Sequence, residues 1–387
     1  MMSICVLATL GVHAQIITTS PAIVQKSSNP IVLTYHSDKG NLGLKGQPAS
    51  DPIYAHIGVI TNKSNSVSDW KYAPEWGDNS AKYKLEYVST DVWTLTINSD
   101  LRTYFGMTDA NETIEKIALV FRNGSKTKEG KDVGGADIFV DVYDDGFQLL
   151  FTSDAESDML SSSTNAVTFS AVTSENAKIE ISVDGNSIAS QASTTSVVKT
   201  YTFTEKGATS IVTARATKGS DIIEKSMTFC YPSESPAKEY PGGEPKMGAV
   251  VNADGSVTFC LAAPGKSNAV LVGSWDDYKT LDENVMYYHD YNGNRYFWKT
   301  IDGLDLTQDY AYYYAVDQTY KVGDPYAQMI LDPYSDKWLA VDLLDDVMPY
   351  PYDKVSGNVM LAVLRAPRQY DWKVENFKGV DAKDLII

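Results

Sequence analysis

The stretch GAVVNADGSVTFCLAAPGKSNAVLVGSWDDYKT (residues 248–280), continued by DYNGNRYFWKTIDGLDLTQDYAYYYAVDQTYKVGDPY (residues 290–326), decides the fold class. Apolar runs at Val257–Ala263, Ala269–Gly273, Tyr296–Ile301 and Tyr310–Val316 are separated by turn chemistry at Asn252-Ala253-Asp254-Gly255 and Tyr291-Asn292-Gly293-Asn294. Asp-Gly and Asn-Gly supply the positive φ angles of tight hairpins. Short strands at this spacing predict a β-sandwich of roughly 80 residues.

These residues also carry a resemblance. VTFCLAAPGKSNAVLVGSWDDY, the aromatic YAYYYAVD and GDPYA resemble, in order, a carbohydrate-binding module of family 48. That early-set sandwich precedes the catalytic barrel in glycoside hydrolase family 13 enzymes such as pullulanases, branching enzymes and some α-amylases. The family's Gly-Asp-Phe-Asn-Gly-Trp-like turn is here Gly273-Ser274-Trp275-Asp276-Asp277-Tyr278, with the aromatic positions exchanged. The resemblance implies that Asp324-Pro325-Tyr326 faces a barrel. It makes Trp275, Tyr278 and Trp298 candidate sugar-stacking residues, with core packing as the alternative for all three.

Working outward, a chain of 387 residues predicts two to three domains at about 150 residues each. Pro232 to Pro245, PSESPAKEYPGGEP, is the clearest boundary. Residues 15–153 form a first module, with strands at IVLTY, IYAHIGVI, VWTLTI, IEKIALVFR and IFVDVY and a helical turn at LRTYFG. The Ser-rich, acidic SDAESDMLSSST (153–164) reads as a linker. Residues 165–232 form an immunoglobulin-like spacer of five strands, AVTFSAV, KIEISVDG, KTYTF, SIVTARAT and DIIEKSMTF. The third module spans 246–342, and 343–387 reads as a linker. The expected class is therefore all-β: three tandem β-sandwich modules with no catalytic barrel.

Residues 1–14, MMSICVLATLGVHA, read as a signal peptide whose start lies upstream, because a basic leading segment is missing. The apolar run is far shorter than the roughly 18 residues of a membrane span. Export to the periplasm or medium is the expectation. The net charge of −17, from 33 basic against 50 acidic residues, excludes a nucleic-acid partner and suits a neutral ligand.

No catalytic chemistry emerges. The pairs Asp144/Asp145, Asp276/Asp277 and Asp345/Asp346 sit in turns or on opposite strand faces, where they cap backbone rather than flank a glycosidic bond. GxSxG, Walker, CxxC and HExxH motifs are missing, and His36, His56 and His289 are scattered. Neither a metal nor a cofactor is called for. Cys230 and Cys260 sit in apolar runs and read as buried thiols, with a disulfide between neighbouring modules as the alternative.

Binding is better supported. IYAHIGVITNKSNSVSDWKYAPEWGDNSAKY (53–83) gathers Tyr54, His56, Trp70, Tyr72 and Trp76, and LVFRNGSKTKEGKDVGGADIFVDV follows at 119–142. This is similar to starch-binding modules of families 25 and 26, which carry an aromatic-x-His strand, tryptophans in the next loop and a later Phe-x-Asn/Asp-Gly segment. α-1,4-Glucan is curved, so two angled aromatic planes can stack on successive rings while His, Arg, Asn or Asp bonds the hydroxyls. Trp70 and Trp76 lie in a strand-poor loop, where sugar contact and core packing both remain open. His56, Arg122 and Asp137 are the polar candidates; Trp93, within VWTLTI, reads as core.

The combined resemblance implies the non-catalytic N-terminal region of a family 13 enzyme of α-amylase or pullulanase type. Its partners would be α-1,4/α-1,6-glucan and a barrel following Ile387, where FKGVD…LII resembles the lead into the first barrel strand. Rival readings are a stand-alone secreted starch-binding protein and a structural or adhesion array.

Overall fold

The computed structural model describes residues 16–336, 347–352, 354–355 and 359–366. The leader read in residues 1–14, Asp345/Asp346, the segment approaching Leu385-Ile386-Ile387 and most of the linker read at 343–387 lie outside the described residues. The protein is all-β, built from antiparallel sheets. Its described residues fall into two compact units. The first takes those up to Glu156 with Ser163–Thr204 and Ser210–Met227; the second takes Ser157–Ser162, Glu205–Thr209 and those from Thr228 onward.

The first unit begins with β1 (Ile17–Ser20), β2 (Ile31–His36), β3 (Ile53–Thr61), β4 (Glu86–Ser89) and β5 (Val92–Ile97). It continues through β6 (Ile114–Asn123), β7 (Glu129–Gly130) and β8 (Ile138–Asp141). The predicted helical turn is α1 (Leu101–Phe105), capped by the Asp100 carboxylate, which accepts from Thr103 N, and ended by Gly106 at φ 69°. Two sheets face each other, β1-β2-β5-β4 and β3-β6-β7 with β8 on β6.

Alternation explains the pairing. In β2 the buried positions are Ile31, Leu33 and Tyr35, and in β5 they are Trp93, Leu95 and Ile97. They meet Ile53, Ala55, Ile57 and Val59 of β3 and Ile117, Leu119 and Phe121 of β6 in one core. Tyr35 stacks on Phe121 with centroids 4.0 Å apart.

β3 and β6 are buried almost throughout, so their second faces are covered as well. On β3 that second face carries Tyr54, His56, Gly58 and Ile60; on β6 it carries Ala118, Val120 and Arg122. This outward face positions the candidate site.

The unit continues with β9 (Leu149–Ser153), β10 (Ala166–Val183), β11 (Asn186–Thr202) and most of β12 (Ala208–Lys218) and β13 (Asp221–Tyr231), which form one five-stranded sheet. AVTFSAV and KIEISV, read as separate strands, are one strand here. TSENA between them holds no Gly or Pro, and the chain passes it with register shifts between Val172, Ala177 and Ile179 instead of a turn. β9, read as the end of the first module, pairs with β10. The expected boundary at 153 thus falls at a hydrogen-bonded strand.

The second unit holds β14 (Gly248–Val251), β15 (Val257–Ala262), β16 (Ala269–Gly273), β17 (Tyr287–Tyr291) and β18 (Asn294–Ile301). It also holds β19 (Tyr310–Val316), β20 (Tyr320–Val322), β21 (Met329–Leu331) and β22 (Leu361–Leu364). Sheets β14-β15-β18-β17 and β16-β19-β22-β21, with β20 on β19, enclose Phe259, Leu271, Phe297, Tyr312 and Tyr314. The Asn292-Gly293 hairpin forms as predicted, with φ 49° and 79° joining β17 to β18. β22 corrects the linker reading: Leu361–Leu364, all four apolar, hydrogen-bonds to β19 and β21 inside the sheet.

Candidate functional site

The site is built on the outward face of β3-β6-β8. Cross-strand rows set its layout: Tyr54 opposes Arg122, His56 opposes Val120, and Gly58, Ala118 and Phe139 form a third row. Gly58 and Ala118 leave a low floor in that row. A Cβ on Gly58 would lie 3.0 Å from the Lys71 carbonyl and from Ala73 Cβ, so glycine lets the following loop settle onto the strand. Lys71 then pairs with the Val59 backbone edge, its N–H reaching Val59 O at 2.8 Å.

That pairing brings Trp70 over the floor. Its ring is near-parallel to His56, with centroids 5.7 Å apart at 23°, and edge-on to Phe139 at 6.4 Å. Its Nε1 donates to Val67 O at 3.2 Å. Trp76 meets His56 at 4.9 Å and 69°. Trp76 is 45% exposed, Trp70 is half-buried, and the imidazole lies between the two indoles.

Arg122 is the base of the arrangement. It is 1% exposed, its guanidinium lies 5.4 Å from the Tyr54 ring centre and 6.0 Å from that of Trp76. Its Nη1 donates to Asn79 Oδ1 at 2.7 Å and its Nη2 to Asp78 O at 2.6 Å. Asn79 Nδ2 in turn donates to Gly124 O at 3.0 Å. The Trp76 loop is therefore held from beneath, and the arginine predicted to touch ligand is buried and positions the Trp76 loop. Tyr54, 9% exposed, lies beneath with it.

Two polar atoms on this face lack partners, His56 Nδ1 and Arg122 Nε. A buried polar atom left unpaired costs about 1–3 kcal/mol. Burial, and then the Arg122 charge, pushes the His56 pKa below its ordinary value, against the pull of the Asp137 carboxylate. The imidazole is thus neutral at neutral pH, a donor–acceptor suited to a hydroxyl. Asp137, half-buried just before β8, takes part through its charge on His56.

Tyr72 is not brought into the cluster. With φ at 57° it leaves the Trp70 line, and its hydroxyl donates to Glu112 Oε2 at 2.6 Å, beside the Thr61 hydroxyl at 2.7 Å from Oε1. Its polar end is engaged in the fold.

The second unit does not present the rings expected of it. Trp275 lies flat on Gly273, where any Cβ would collide with its six-membered ring, and packs on Phe259 at 5.3 Å and Tyr310 at 6.1 Å. Its Nε1 is buried. Tyr278, at φ 57°, packs against the core of Val270, Val272 and Tyr313. Trp298 is 3% exposed, with Nε1 donating to Lys238 O at 3.1 Å. Trp298 packs with Tyr240 and Cys260 on the face of β18 opposite Phe297, Trp275 is half-buried against the core between the sheets, and Tyr278 is half-buried against the other face of β16 and β19. Asp324 also turns inward. It is 1% exposed and accepts from the Tyr312 and Tyr314 hydroxyls at 2.7 and 2.9 Å and from Tyr326 N at 2.8 Å. Only Pro325 and Tyr326 of that segment are exposed.

Trp93 is core, as expected, at 1% exposure. Cys230 and Cys260 are free, buried thiols, each with its pKa pushed up to about 12 chiefly by burial. Concavities of about 500 and 530 Å³ lie in the second unit, lined by residues such as Tyr326 and Val363 or Leu261 and Tyr320. Among the described residues no cluster of three or more His, Cys, Asp or Glu could hold a metal, and no helix is long and apolar enough to cross a membrane. Sequence reasoning missed Phe139, Asp78 and Asn79. The alternation of IFVDV would have placed Phe139 on the outward face; Asp78 acts through its carbonyl and leaves no sequence signal.

No protein family model and no curated protein matches this sequence. Among solved structures, the N-terminal eight Ig domains of Down Syndrome Cell Adhesion Molecule isoform 1.30.30 are similar at 13% identity and a TM-score of 0.18. The match covers 67% of this chain and 34% of that one. A TM-score of that size carries neither fold nor function across.

Proposed function

We propose that this chain binds α-glucan through the Trp70–His56–Trp76 face. The observation that carries the reading is the pair of indoles, one half-buried and one 45% exposed, flanking a single imidazole on the outer side of a rigid sheet. Each indole offers a flat apolar face for the C–H side of a pyranose ring, and burying that face is favourable. The neutral imidazole between them suits the adjacent hydroxyls. A ligand without charge meets no repulsion from a chain of net charge −17.

On this reading the protein holds starch, glycogen or maltooligosaccharide for a family 13 glycoside hydrolase of α-amylase or pullulanase type, outside the cytoplasm. The resemblances at residues 53–83 and 248–326 support that setting.

Affinity electrophoresis of the purified chain in gels with and without amylopectin tests the binding claim. Retardation by the polysaccharide, lost in a Trp70→Ala/Trp76→Ala variant, is expected. Equal wild-type mobility in both gels removes the reading.

A further inference from the structure

We infer that Lys126 is a further ligand-binding residue of this face, its ammonium donating to hydroxyls of the sugar ring stacked on Trp76; the inference rests on the glucan reading above. Lys126 sits at the tip of a turn that Asn123 builds from within. Asn123 Oδ1 accepts from Thr127 N at 2.9 Å and Lys128 N at 3.1 Å, its Nδ2 donates to Ser125 Oγ at 2.8 Å, and Lys126 N closes on Asn123 O at 3.0 Å. Asn79 ties the turn to the Trp76 loop through Gly124 O. The turn is locked before any ligand arrives.

Two uncommon backbone positions then bring the ammonium against Gly77, the residue that follows Trp76. Lys126 itself has φ 64°, a region L residues seldom adopt. Gly77, the residue after Trp76, has φ 97°, and a Cβ there would collide with Cδ, Cε and Nζ of Lys126. The side chain therefore lies across the one position beside Trp76 that has no side chain. Several other lysines of this unit are held by carboxylates: Lys26 by Asp144, Lys63 by Asp109, Lys71 by Asp69, Lys116 by Asp141 and Lys131 by Glu129. Lys126 has no such ion pair or side-chain hydrogen bond among the described residues and is exposed. An ammonium has three donors and no acceptor, and vicinal hydroxyls of a stacked pyranose supply acceptors at its edge.

Titration calorimetry of the full chain with maltoheptaose tests this, using Lys126→Ala and Lys126→Met, with Trp76→Ala and the exposed Lys45→Ala as references. Met keeps the aliphatic reach and removes the donors. The expected result is a Kd about five- to tenfold weaker in both Lys126 variants, with unchanged melting temperature and an unchanged Kd for Lys45→Ala. Lys126 variants within about twofold of wild type, alongside binding about tenfold weaker in Trp76→Ala, overturn the Lys126 assignment and leave the platform standing. A wild-type chain that gives no heat with maltoheptaose overturns both.

Discussion

Residues 54–76 and residues 275–314 carry the same chemistry in sequence, tryptophan and tyrosine among strands and turns, and the fold treats them oppositely. In the second, Trp275 folds onto Gly273 and packs half-buried against the core between two sheets. In the first, Gly58 is bridged by the backbone of residues 71–73, which carries Trp70 over the outside of a sheet whose inner face is already packed. The glycine under Trp275 lies on the inner face of its sheet, whereas Gly58 lies on the outward face and takes the backbone of the Trp70 loop. What separates them is which face of the sheet the glycine lies on.

This contrast can be broken by mutation. Trp275→Ala should have the largest effect, about 3 kcal/mol of lost stability in the second unit, with maltoheptaose binding intact. Lost binding with an unchanged melt would place that ring in a site instead. Arg122→Ala should lower the stability of the first unit by about 2 kcal/mol and also weaken binding, because a buried guanidinium and its two loop contacts disappear together. Trp76→Ala should weaken binding about tenfold, equal to about 1.4 kcal/mol, with stability changed by less than about 0.5 kcal/mol. Tyr72→Phe removes the bond to Glu112 and should cost about 1 kcal/mol of stability with no change in Kd. A changed Kd would return Tyr72 to the site.

The smallest effect concerns pH. The His56 pKa is held below the ordinary imidazole value of 6.5, so on the acid side of that value the unfolded chain binds more protons than the folded one. The stability associated with neutral His56 is fully present above 6.5 and is lost as pH falls through the lower folded value. Melting temperatures taken between about pH 7.5 and about pH 5.5 should decline less in His56→Gln than in wild type. Equal declines would mean that burial does not hold the His56 pKa down.

The strands of the first unit were readable because IVLTYH and VWTLTI alternate and IYAHIGVIT is continuously apolar. That last pattern is ambiguous by nature: a strand buried on both faces does not say what covers it. The outward loop was therefore visible as aromatics without a stated orientation, and Arg122 read as a ligand contact when its partners are a carbonyl and an amide of that loop. In the second unit, YAYYYAV declared a strand but not that Tyr312 and Tyr314 would close on Asp324. The Asp-Pro pair looked like an external contact because its carboxylate partners lie ten and twelve residues back along the chain. β22 escaped notice because four apolar residues carry too little periodicity to separate strand from loop.

The most direct measurement of the platform is a maltoheptaose titration of the ¹⁵N-labelled chain, following the indole Nε1–H signals. The Trp70 and Trp76 signals should move along saturable curves while Trp93, Trp275 and Trp298 stay in place. Stationary Trp70 and Trp76 signals, or a response confined to Trp275 and Trp298, would contradict it.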